Sequence, residues 1–304
     1  MKNKLKQAEE LEKKLIQVIN KSYHEWDTNT LCLAGYGVEN AVFKIENMEK
    51  RLFAIRVPWN KRVLNDNEGE FDSRIQLQKE AEIASHCFKY GLPVPEVIHL
   101  HLDEDIDFLV SHFIRGDQNP TSSYEIGLLT SKLHQLPINK LRTIDSRKMS
   151  KILSERITNR FEVFKRITSV PIEFISQKEL ETILQHDDDQ TCLLHMDIRP
   201  ANLISENGQI KAIVDWNNAL IGNPVLDVMR TVETNEVDET EFLKGYGKDE
   251  MIDITPRIIR LIYRLDTAVM LAVLFLSYLQ DKEKGEYYTT RVQSLCKSII
   301  MDFR

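Results

Sequence analysis

LLHMDIRPANLISENGQIKAIVDWNNALIGNPVLD, residues 193–227, is the stretch that decides the fold of the chain. His195, Asp197 and Asn202 stand near its beginning, and Asp215 follows after two short apolar segments. Apolar segments of this length predict strands. The ENG sequence between them predicts a tight turn, because Asn and Gly tolerate positive φ. The predicted hairpin would bring Asp215 back beside Asn202.

The order and spacing of these polar residues are typical of phosphoryl transfer. The catalytic loop of protein kinases reads H-R-D-x-x-x-x-N, and a metal-binding Asp follows it. This chemistry needs positioning and charge neutralisation, so Asp197 would accept the proton of an attacking hydroxyl. Asn202 and Asp215 would offer the oxygen ligands that Mg²⁺ prefers. Arg199 could neutralise charge on the transferred group. Taken singly, each residue could instead serve a turn.

The region before residue 115 shows the patterns of a sheet with two helices. Apolar residues recur at helical spacing over residues 5–19 and 73–90. Short apolar runs predict strands at residues 31–34, 41–45, 52–57, 97–102 and 107–114. His99 and His101 lie in one of these strands, where they are interpreted as strand side chains rather than as metal ligands. Residues 113–117 are the predicted hinge, whose backbone could hydrogen-bond to adenine.

Two further features of this region are typical of nucleotide binding. Gly35 and Gly37 lie in a predicted turn over residues 35–40, where missing side chains would let backbone N–H groups approach phosphates. A glycine-containing turn can equally be an ordinary hairpin. Arg56, in the sequence FAIRV, stands where kinases place a phosphate-binding lysine, and Glu80 is its expected partner. No GxxxxGK[ST] sequence is present, which excludes a P-loop enzyme.

After residue 120 the sequence predicts a mostly helical region. The predicted helices cover residues 124–135, 151–170, 172–184, 258–279 and 287–303. His134 is interpreted as a packed structural residue, and residues 186–189 (HDDD) as a solvated loop rather than a metal cluster. Two alternatives stay open for Asp227: it caps a helix, or it holds the catalytic loop. Residues 227–253 are rich in acids, which could bind an amine-bearing substrate or form a solvated face.

Composition limits the class of protein. A chain of 304 residues can form one large or two modest domains, and the net charge of −7 argues against nucleic acid or an anionic membrane as a partner. The four cysteines show no metal-ligand spacing, which favours reduced, mostly buried thiols in a cytoplasmic protein. The apolar run over residues 265–279 contains Asp266 and is too short to span a bilayer, so it predicts a buried helix.

The chain resembles the aminoglycoside phosphotransferase-like family of small-molecule kinases, which includes choline kinase-like enzymes and shares the protein-kinase fold. The resemblance covers roughly residues 30–245. It rests on HMDIRPANLI, IVDWNNALIGNPVLDV, FAIRV, LQKEAEIASHCFKYGLPVPEVI and LTSKLHQLP. Two positions differ from the usual family pattern: Arg56 replaces a lysine, and Asn223 stands where the family often has Asp.

The resemblance implies an α+β, protein-kinase-like fold with a small antiparallel-sheet lobe and a larger, mainly helical lobe. The expected lobes are residues 1–115 and 116–304. It also implies Mg²⁺-dependent transfer of the γ-phosphoryl group of ATP or GTP to a hydroxyl of a small molecule. Aminoglycosides and amino-alcohols are candidate acceptors.

The resemblance assigns roles to residues that match the family motifs. They are Asp197 as the base, Asn202 and Asp215 as metal ligands, and Arg56 with Glu80 as the phosphate-positioning pair.

Two other functions remain to be weighed. A protein serine/threonine kinase would need an activation segment, and the chain has no A-P-E sequence and little length between Asp215 and Asp227. A pseudokinase would keep the fold without turnover. The presence of Asp197, Asn202 and Asp215 argues against it, whereas Arg56 leaves it open.

Overall fold

The computed structural model describes residues 2–117, 119–138, 141–187 and 191–304. Its strands are β1 (Trp26–Tyr36), β2 (Asn40–Asn47), β3 (Leu52–Pro58), β4 (Arg62–Asn65), β5 (Gly69–Asp72), β6 (Val97–His101), β7 (Phe108–His112), β8 (Cys192–Leu194), β9 (Leu203–Glu206), β10 (Gln209–Ile213) and β11 (Leu220–Gly222). Its helices are α1 (Lys2–Ser22), α2 (Ser73–Lys89), α3 (Ser123–Leu133), α4 (Met149–Thr168), α5 (Gln177–Leu184), α6 (Pro224–Glu233), α7 (Glu239–Tyr246), α8 (Asp249–Ile254), α9 (Arg257–Val273) and α10 (Lys282–Phe303). A π-helical turn, Leu274–Leu279, directly follows α9.

The N-terminal part is built on a five-stranded antiparallel sheet with the order β1-β2-β3-β7-β6. Side chains alternate between the two faces of a strand, so Phe43 and Ile45 of β2 point to the same side and are fully buried. Helix α1 covers this side of the sheet with Leu15 and Ile19, which belong to the same apolar cluster. The predicted strands and first helix therefore agree with the structure.

The C-terminal part is mainly helical and has the larger core. Helix α9 lies at its centre, packed against α4, α6 and α10. The apolar run at residues 265–279 is thus a buried helix followed by the π-helical turn, as the sequence predicts. Ile83 and Cys87 of α2 also belong to this larger cluster. The core therefore extends across the predicted boundary at residue 115, and the exact division into lobes stays a prediction.

Three details of the predicted secondary structure are wrong. The predicted helix at 172–184 begins only at Gln177, because Ser176 and Glu179 form a capping box that sets the helix start there. Gly35 belongs to β1, where it pairs with Val42, rather than to the turn. The β4–β5 hairpin was not predicted, although its NDNEG turn sequence is a hairpin signal.

The β4–β5 hairpin reaches from the sheet to the helical part. The Asn67 side-chain amide donates to the Met270 carbonyl at 3.2 Å, and Arg160 of α4 donates to the Asn67 carbonyl at 3.3 Å. Arg160 also forms an ion pair with Glu68. The predicted hinge at residues 113–117 makes a second connection, where the Asp117 N–H donates to the Ser205 carbonyl at 2.8 Å. The two parts are thus joined on two sides.

Several smaller predictions concern cysteines, histidines and membranes. Cys87, Cys192 and Cys296 are buried free thiols, whereas Cys32 is exposed. The rings of His99 and His101 both hydrogen-bond to the Tyr23 hydroxyl, at 2.6 and 2.7 Å. Among the described helices, none has both the length and the apolar character to cross a bilayer.

The predicted solvated loop at 186–189 is only partly visible, since residues 188 and 189 lie outside the described residues.

Candidate active site

The catalytic-loop sequence is held in place by Asp227, the carboxylate of α6. It accepts hydrogen bonds from the backbone N–H groups of His195 and Met196 at 2.8 and 2.9 Å. Met196 has a φ of 65°, so these bonds fix a left-handed backbone turn that few non-glycine residues adopt. Asn223 caps α6 by accepting from the Val225 N–H at 2.8 Å. Of the two alternatives for Asp227, holding the loop is therefore the correct one.

Asp227 is fully buried and remains ionised. Burial alone would raise the pKa of this carboxyl, but hydrogen bonds from His134 and the backbone of His195 hold it below its ordinary value. The His134 ring contacts Asp227 at 3.3 Å and the Tyr246 hydroxyl at 2.9 Å. His134 is thus a packed structural residue, as predicted. It supports the catalytic loop indirectly, through its contact with Asp227.

His195 connects the catalytic loop to the strand that precedes Asp215. Its Nδ1 accepts from the Asp197 N–H at 3.2 Å, and its Nε2 donates to the Val214 carbonyl at 3.1 Å. Burial lowers the pKa of His195, even though nearby carboxylates oppose that shift. The neutral ring therefore acts as a spacer that fixes Asp197 relative to Asp215.

Asp197 lies within a small network of polar side chains. The Asn202 side-chain amide donates to both the Asp197 carbonyl and its Oδ2, at 2.9 and 2.7 Å. This arrangement turns the Asn202 amide oxygen away from Asp197. Arg199 lies 3.5 Å from the Asp197 carboxylate and 3.4 Å from Glu236. Burial would lower the pKa of Arg199, but these carboxylates raise it, so the guanidinium keeps its charge.

The β9–β10 hairpin returns the chain to Asp215 as the sequence predicts. Asn207 and Gly208 both have positive φ, as a tight two-residue turn requires. Asp215 itself has a φ of 73°, a rare value that turns its side chain out of the strand direction. Its carboxylate accepts from Arg56 at 2.7 Å, and Arg56 also donates to Glu80 at 3.0 Å.

Arg56 is one of the charged residues that connect the two parts of the molecule. Burial would lower the pKa of its guanidinium, but Asp215 and Glu80 together raise it above its ordinary value. Burial would likewise raise the pKa of Asp215, and the charge of Arg56 instead lowers it. Strand β3, helix α2 and the end of β10 therefore meet at one ion triad, in which Arg56 and Glu80 are largely buried and Asp215 is partly exposed. Arginine makes both contacts at once because its planar fork carries several donors.

The turn between β1 and β2 forms a flap beside this triad. No atom lies within 4 Å of the place where a Cβ would stand on Gly35 or Gly37, so the space next to these glycines is open. The flap also carries Glu39, which the sequence reading did not single out. Its carboxylate accepts from Asn65 at 3.2 Å and from Asn217 at 3.3 Å. Burial and the nearby charge of Asp215 raise the pKa of Glu39.

A partly open cavity of about 200 Å³ lies between the sheet and the β9–β10 hairpin. Its lining includes Arg56 and Glu80 as well as Phe113 and Ile114 of the predicted hinge. Its other walls are mainly apolar: Val42, Ala54, Ala84, Pro95, Val97, Leu109, Ile204, Val214 and Trp216. The cavity thus leads from an apolar slot to the charged residues.

The residues present fit a hard divalent cation. Asn202 offers an amide oxygen and Asp215 a carboxylate, and both stand at the ends of the same hairpin. Mg²⁺ commonly takes one or two carboxylates from the protein and completes its shell with phosphate oxygens and water.

The acid-rich region at 227–253 offers less free charge than its composition indicates. Buried Glu233 is paired with Arg264 and Arg291, at 3.1 and 2.5 Å.

The structure joins the predicted polar site residues by direct contacts. Arg199 and Asn202 both contact Asp197, whereas Arg56 of β3 pairs with Asp215 and with Glu80 of helix α2. Gly35 lies in β1, and Gly37 lies in the turn that follows it. The sequence does not identify Glu39 as a site residue, because a single acidic residue in a turn is not a recognisable motif. Glu39 lies beside Asn217 only in the folded chain, where the two parts of the molecule meet.

Comparisons with solved structures support the same fold. Aminoglycoside phosphotransferase APH(4)-Ia is 15% identical, with 97% of this chain and 98% of that chain covered and a TM-score of 0.65. A thermostable variant in complex with ADP and hygromycin B is 15% identical, covering 93% and 96%, with a TM-score of 0.64. ADP-bound APH(2'')-Ib is 14% identical, covering 94% and 98%, with a TM-score of 0.62. At these identities the likeness establishes the kinase-like fold alone.

Comparison at the level of sequence gives the family. No curated protein sequence matches the chain significantly. The model of the phosphotransferase enzyme family, APH, matches residues 33–257, which include the flap, the ion triad, the catalytic loop and Asp215. This match covers most of the chain, and it contains both motifs on which the sequence resemblance mainly rests. The chain therefore belongs to the APH phosphotransferase enzyme family.

Proposed function

We propose that the chain is a kinase that transfers the γ-phosphoryl group of ATP or GTP to a hydroxyl group of a small molecule. The observation that carries this proposal is the convergence of two sets of residues. Arg56 and Glu80 of the ion triad line the apolar cavity, and the Val214 N–H donates to the Asn202 carbonyl at 3.0 Å, which brings the Asp197–Asn202 pair beside Asp215. A nucleotide with its base in the cavity would direct its phosphates toward these charges.

The proposed reaction uses Asp197 as the base. The acceptor oxygen would bond to the γ-phosphorus while the bond to the bridging β,γ-oxygen breaks, so that the nucleoside diphosphate leaves. The hydroxyl proton passes to the Asp197 carboxylate, whose orientation is fixed by the Asn202 amide. Arg199, which remains charged, lies close enough to stabilise negative charge on the transferred group.

Arg56 and Glu80 are proposed to position the phosphates. Arg56 contacts Asp215 in the present structure, so it already holds the carboxylate and the nucleotide cavity in register. Asn202 and Asp215 are proposed to bind Mg²⁺, which when bound neutralises phosphate charge. Gly35 and Gly37 would let backbone N–H groups of the flap approach the phosphates, since the space beside them is open.

A small molecule is favoured over a protein as the acceptor. Protein kinases use a long activation segment to bind peptides. Here residues 220–222 of the segment after Asp215 already pair with β8, and α6 begins at Pro224. The chain thus has little length for a peptide platform. Aminoglycosides and amino-alcohols are the first acceptors to test, and a solved relative binds hygromycin B.

The deciding experiment is phosphoryl transfer with Asp197→Asn. Nucleotide consumption with Mg²⁺ would be measured across a panel of hydroxyl compounds, with ATP and with GTP. We expect turnover with one class of acceptor and a loss of about 10²–10⁴-fold in the variant, the usual contribution of a general base. Asp105→Asn, an exposed loop carboxylate, is the matched control and should keep full activity.

Two outcomes would contradict the proposal. Transfer by Asp197→Asn at near-normal rate would remove Asp197 from its role. Nucleotide binding without turnover on any compound would instead favour the pseudokinase.

A further inference from the structure

A second, larger cavity of about 680 Å³ adjoins the proposed transfer site. Glu39 of the flap and Asn217, two residues after Asp215, line one end of it. Residues of helix α4 and of the β4–β5 hairpin also line it. The volume lies within the range of small-molecule pockets. Asn217 donates to Glu39 at 3.3 Å and lies two residues after Asp215, so the cavity begins beside the proposed transfer site.

Most charged side chains of this cavity have a partner of opposite charge. Arg147 pairs with Asp145 at 2.7 Å and with Glu155 at 2.6 Å. Two further arginines also have carboxylate partners: Arg156 pairs with Asp266 at 2.7 Å, and Arg166 with Asp66 at 3.7 Å. Because Arg147 is shared by two carboxylates, the lining keeps a small excess of negative charge, which is too little to bind a polycation.

The remaining charged groups do not change this balance. Lys79 donates to the Asn217 carbonyl at 2.8 Å, and burial lowers the pKa of its ammonium to about 8. Glu68 pairs with Arg160. Glu39 accepts hydrogen bonds from two amide groups, and burial raises the pKa of its carboxyl. Glu39 and the two carboxylates that share Arg147 are therefore points in the described lining where a single amino group could add a contact.

Amide side chains supply most of the uncharged polar surface. The six that line the cavity are Asn65, Asn67, Gln76, Asn159, Asn217 and Asn218. An amide both donates and accepts, which matches the hydrogen-bonding of hydroxyl groups. The amide oxygens of Asn67 and Gln76 have no hydrogen-bond donor among the described residues. Acceptors of this kind favour a ligand that brings O–H donors. Apolar Phe71 and Ile152 offer surfaces for carbon–hydrogen faces.

From these observations we propose that the acceptor is a neutral, polyhydroxylated molecule, such as a sugar or a polyol, bound in this cavity by amide side chains. This inference rests on the proposed kinase function. It differs from a polycationic acceptor, which would need several unpaired carboxylates. It also differs from an acceptor with an acidic group, which would need an unpaired guanidinium.

The first test compares acceptor classes with the full-length protein and Mg²⁺–ATP. The panel contains neutral sugars, polyols and cyclitols, next to aminoglycosides, choline and hydroxy acids, and products are identified by mass spectrometry. We expect the best neutral polyol to exceed every aminoglycoside and hydroxy acid by at least about tenfold in kcat/KM, equivalent to roughly one good hydrogen bond.

A second test uses the double variant Gln76→Ala/Asn159→Ala. Loss of two amide contacts should raise the KM for the polyol by about tenfold and leave the KM for ATP unchanged. Asn29→Ala, an exposed amide on β1, is the control and should change neither. An unchanged acceptor KM in the double variant would remove the amides from the binding site.

The outcomes separate this inference from the kinase proposal. If aminoglycosides are phosphorylated in an Asp197-dependent way and neutral polyols are not, the inference is overturned and the kinase stands. If nucleotide binds but no polyol is phosphorylated, the inference is also overturned. If calorimetry detects no nucleotide binding, the proposed function fails first, and the inference fails with it.

Discussion

At the scale of single residues, the site depends on charges that hold one another in place. Arg56 lies between Glu80 and Asp215, and Asp227 accepts two backbone N–H groups of the catalytic loop. Two of the residues that make these contacts, Met196 and Asp215, have positive φ. Strained backbone of this kind persists only where surrounding contacts over-determine it. These charged contacts therefore fix the geometry of the loop on which the proposed chemistry depends.

Replacing Arg56 with lysine tests the bridge between Glu80 and Asp215. A lysine keeps the charge, but its ammonium is a point charge on a flexible stem and cannot make both contacts with the same geometry. Loss of one hydrogen bond to a charged group costs about 1.5–3 kcal/mol. We therefore expect Arg56→Lys to lower kcat/KM for ATP by about 10–100-fold. Arg51→Lys, at an exposed ion pair, is the control, and equal effects of the two changes would contradict the bridge.

Asp227→Asn tests the carboxylate under the catalytic loop. An amide can accept through one oxygen only, so one buried N–H loses its partner at a cost of about 1–3 kcal/mol at neutral pH. The pKa of Asp227 is held below its ordinary value, so its contribution is complete above about pH 4 and is lost as the pH falls through the folded-state pKa. Urea unfolding at pH 7, 5 and 3 measures the free energy of unfolding of the wild type and the variant. The difference between the two free energies should become smaller toward low pH. A difference that does not change with pH would refute this account.

At the scale of elements, three helices are joined by one buried cluster of ions. Asp266 of α9 is fully buried and pairs with Arg156 and Arg160 of α4, both at 2.7 Å. Arg230 of α6 lies 3.5 Å from the same carboxylate. Glu68 at the tip of the β4–β5 hairpin joins the cluster through Arg160. The hairpin thus uses charges of the helical part to hold its position over the second cavity.

Asp266→Asn should be among the more destabilising single changes in the helical part. It leaves three guanidinium groups, two of them buried, without their shared carboxylate, and breaking a buried pair in this way costs about 3–5 kcal/mol. Asp302→Asn, whose partner Arg257 is largely exposed, should cost at most about 1 kcal/mol. The midpoints of chemical denaturation would measure both. If Asp266→Asn lowers the free energy of unfolding by less than Asp302→Asn does, the cluster does not stabilise the fold.

At the scale of the whole molecule, residues of both parts of the chain line the proposed nucleotide cavity. Val42 and Ala54 come from the sheet, whereas Ile204 and Trp216 come from the C-terminal part. The hinge and the β4–β5 hairpin connect the two parts at either side of this cavity. A ligand in the cavity therefore contacts both parts at once, and its binding should be coupled to the stability of the whole chain.

Thermal unfolding with a non-hydrolysable ATP analogue and Mg²⁺ tests this coupling. Ligand at about 100 times its Kd should stabilise the protein by about 2.7 kcal/mol and raise the Tm. Asp215→Ala should lose most of this shift, because it removes a proposed Mg²⁺ ligand. Mg²⁺ without nucleotide serves as the control. An equal shift in the variant would place Asp215 outside the metal site.

The sequence alone was sufficient to predict local elements and the order of the chemistry. Strands β1 to β3, the β9–β10 hairpin and the spacing of Asp197, Asn202 and Asp215 follow from short-range patterns. These patterns are local because a turn or a helix start depends on neighbouring residues, as the Asn207–Gly208 turn illustrates. The family and the kinase-like fold follow from the same motifs.

Only the tertiary structure decided which distant residues meet. The choice between two roles for Asp227, the place of Glu39 beside Asn217 and the cluster around Asp266 all join residues far apart in the chain. The position of the β4–β5 hairpin is likewise set by contacts with α4 and α9. Such contacts form because burial forces charged and amide groups to find partners, and the partner is set by packing rather than by sequence spacing.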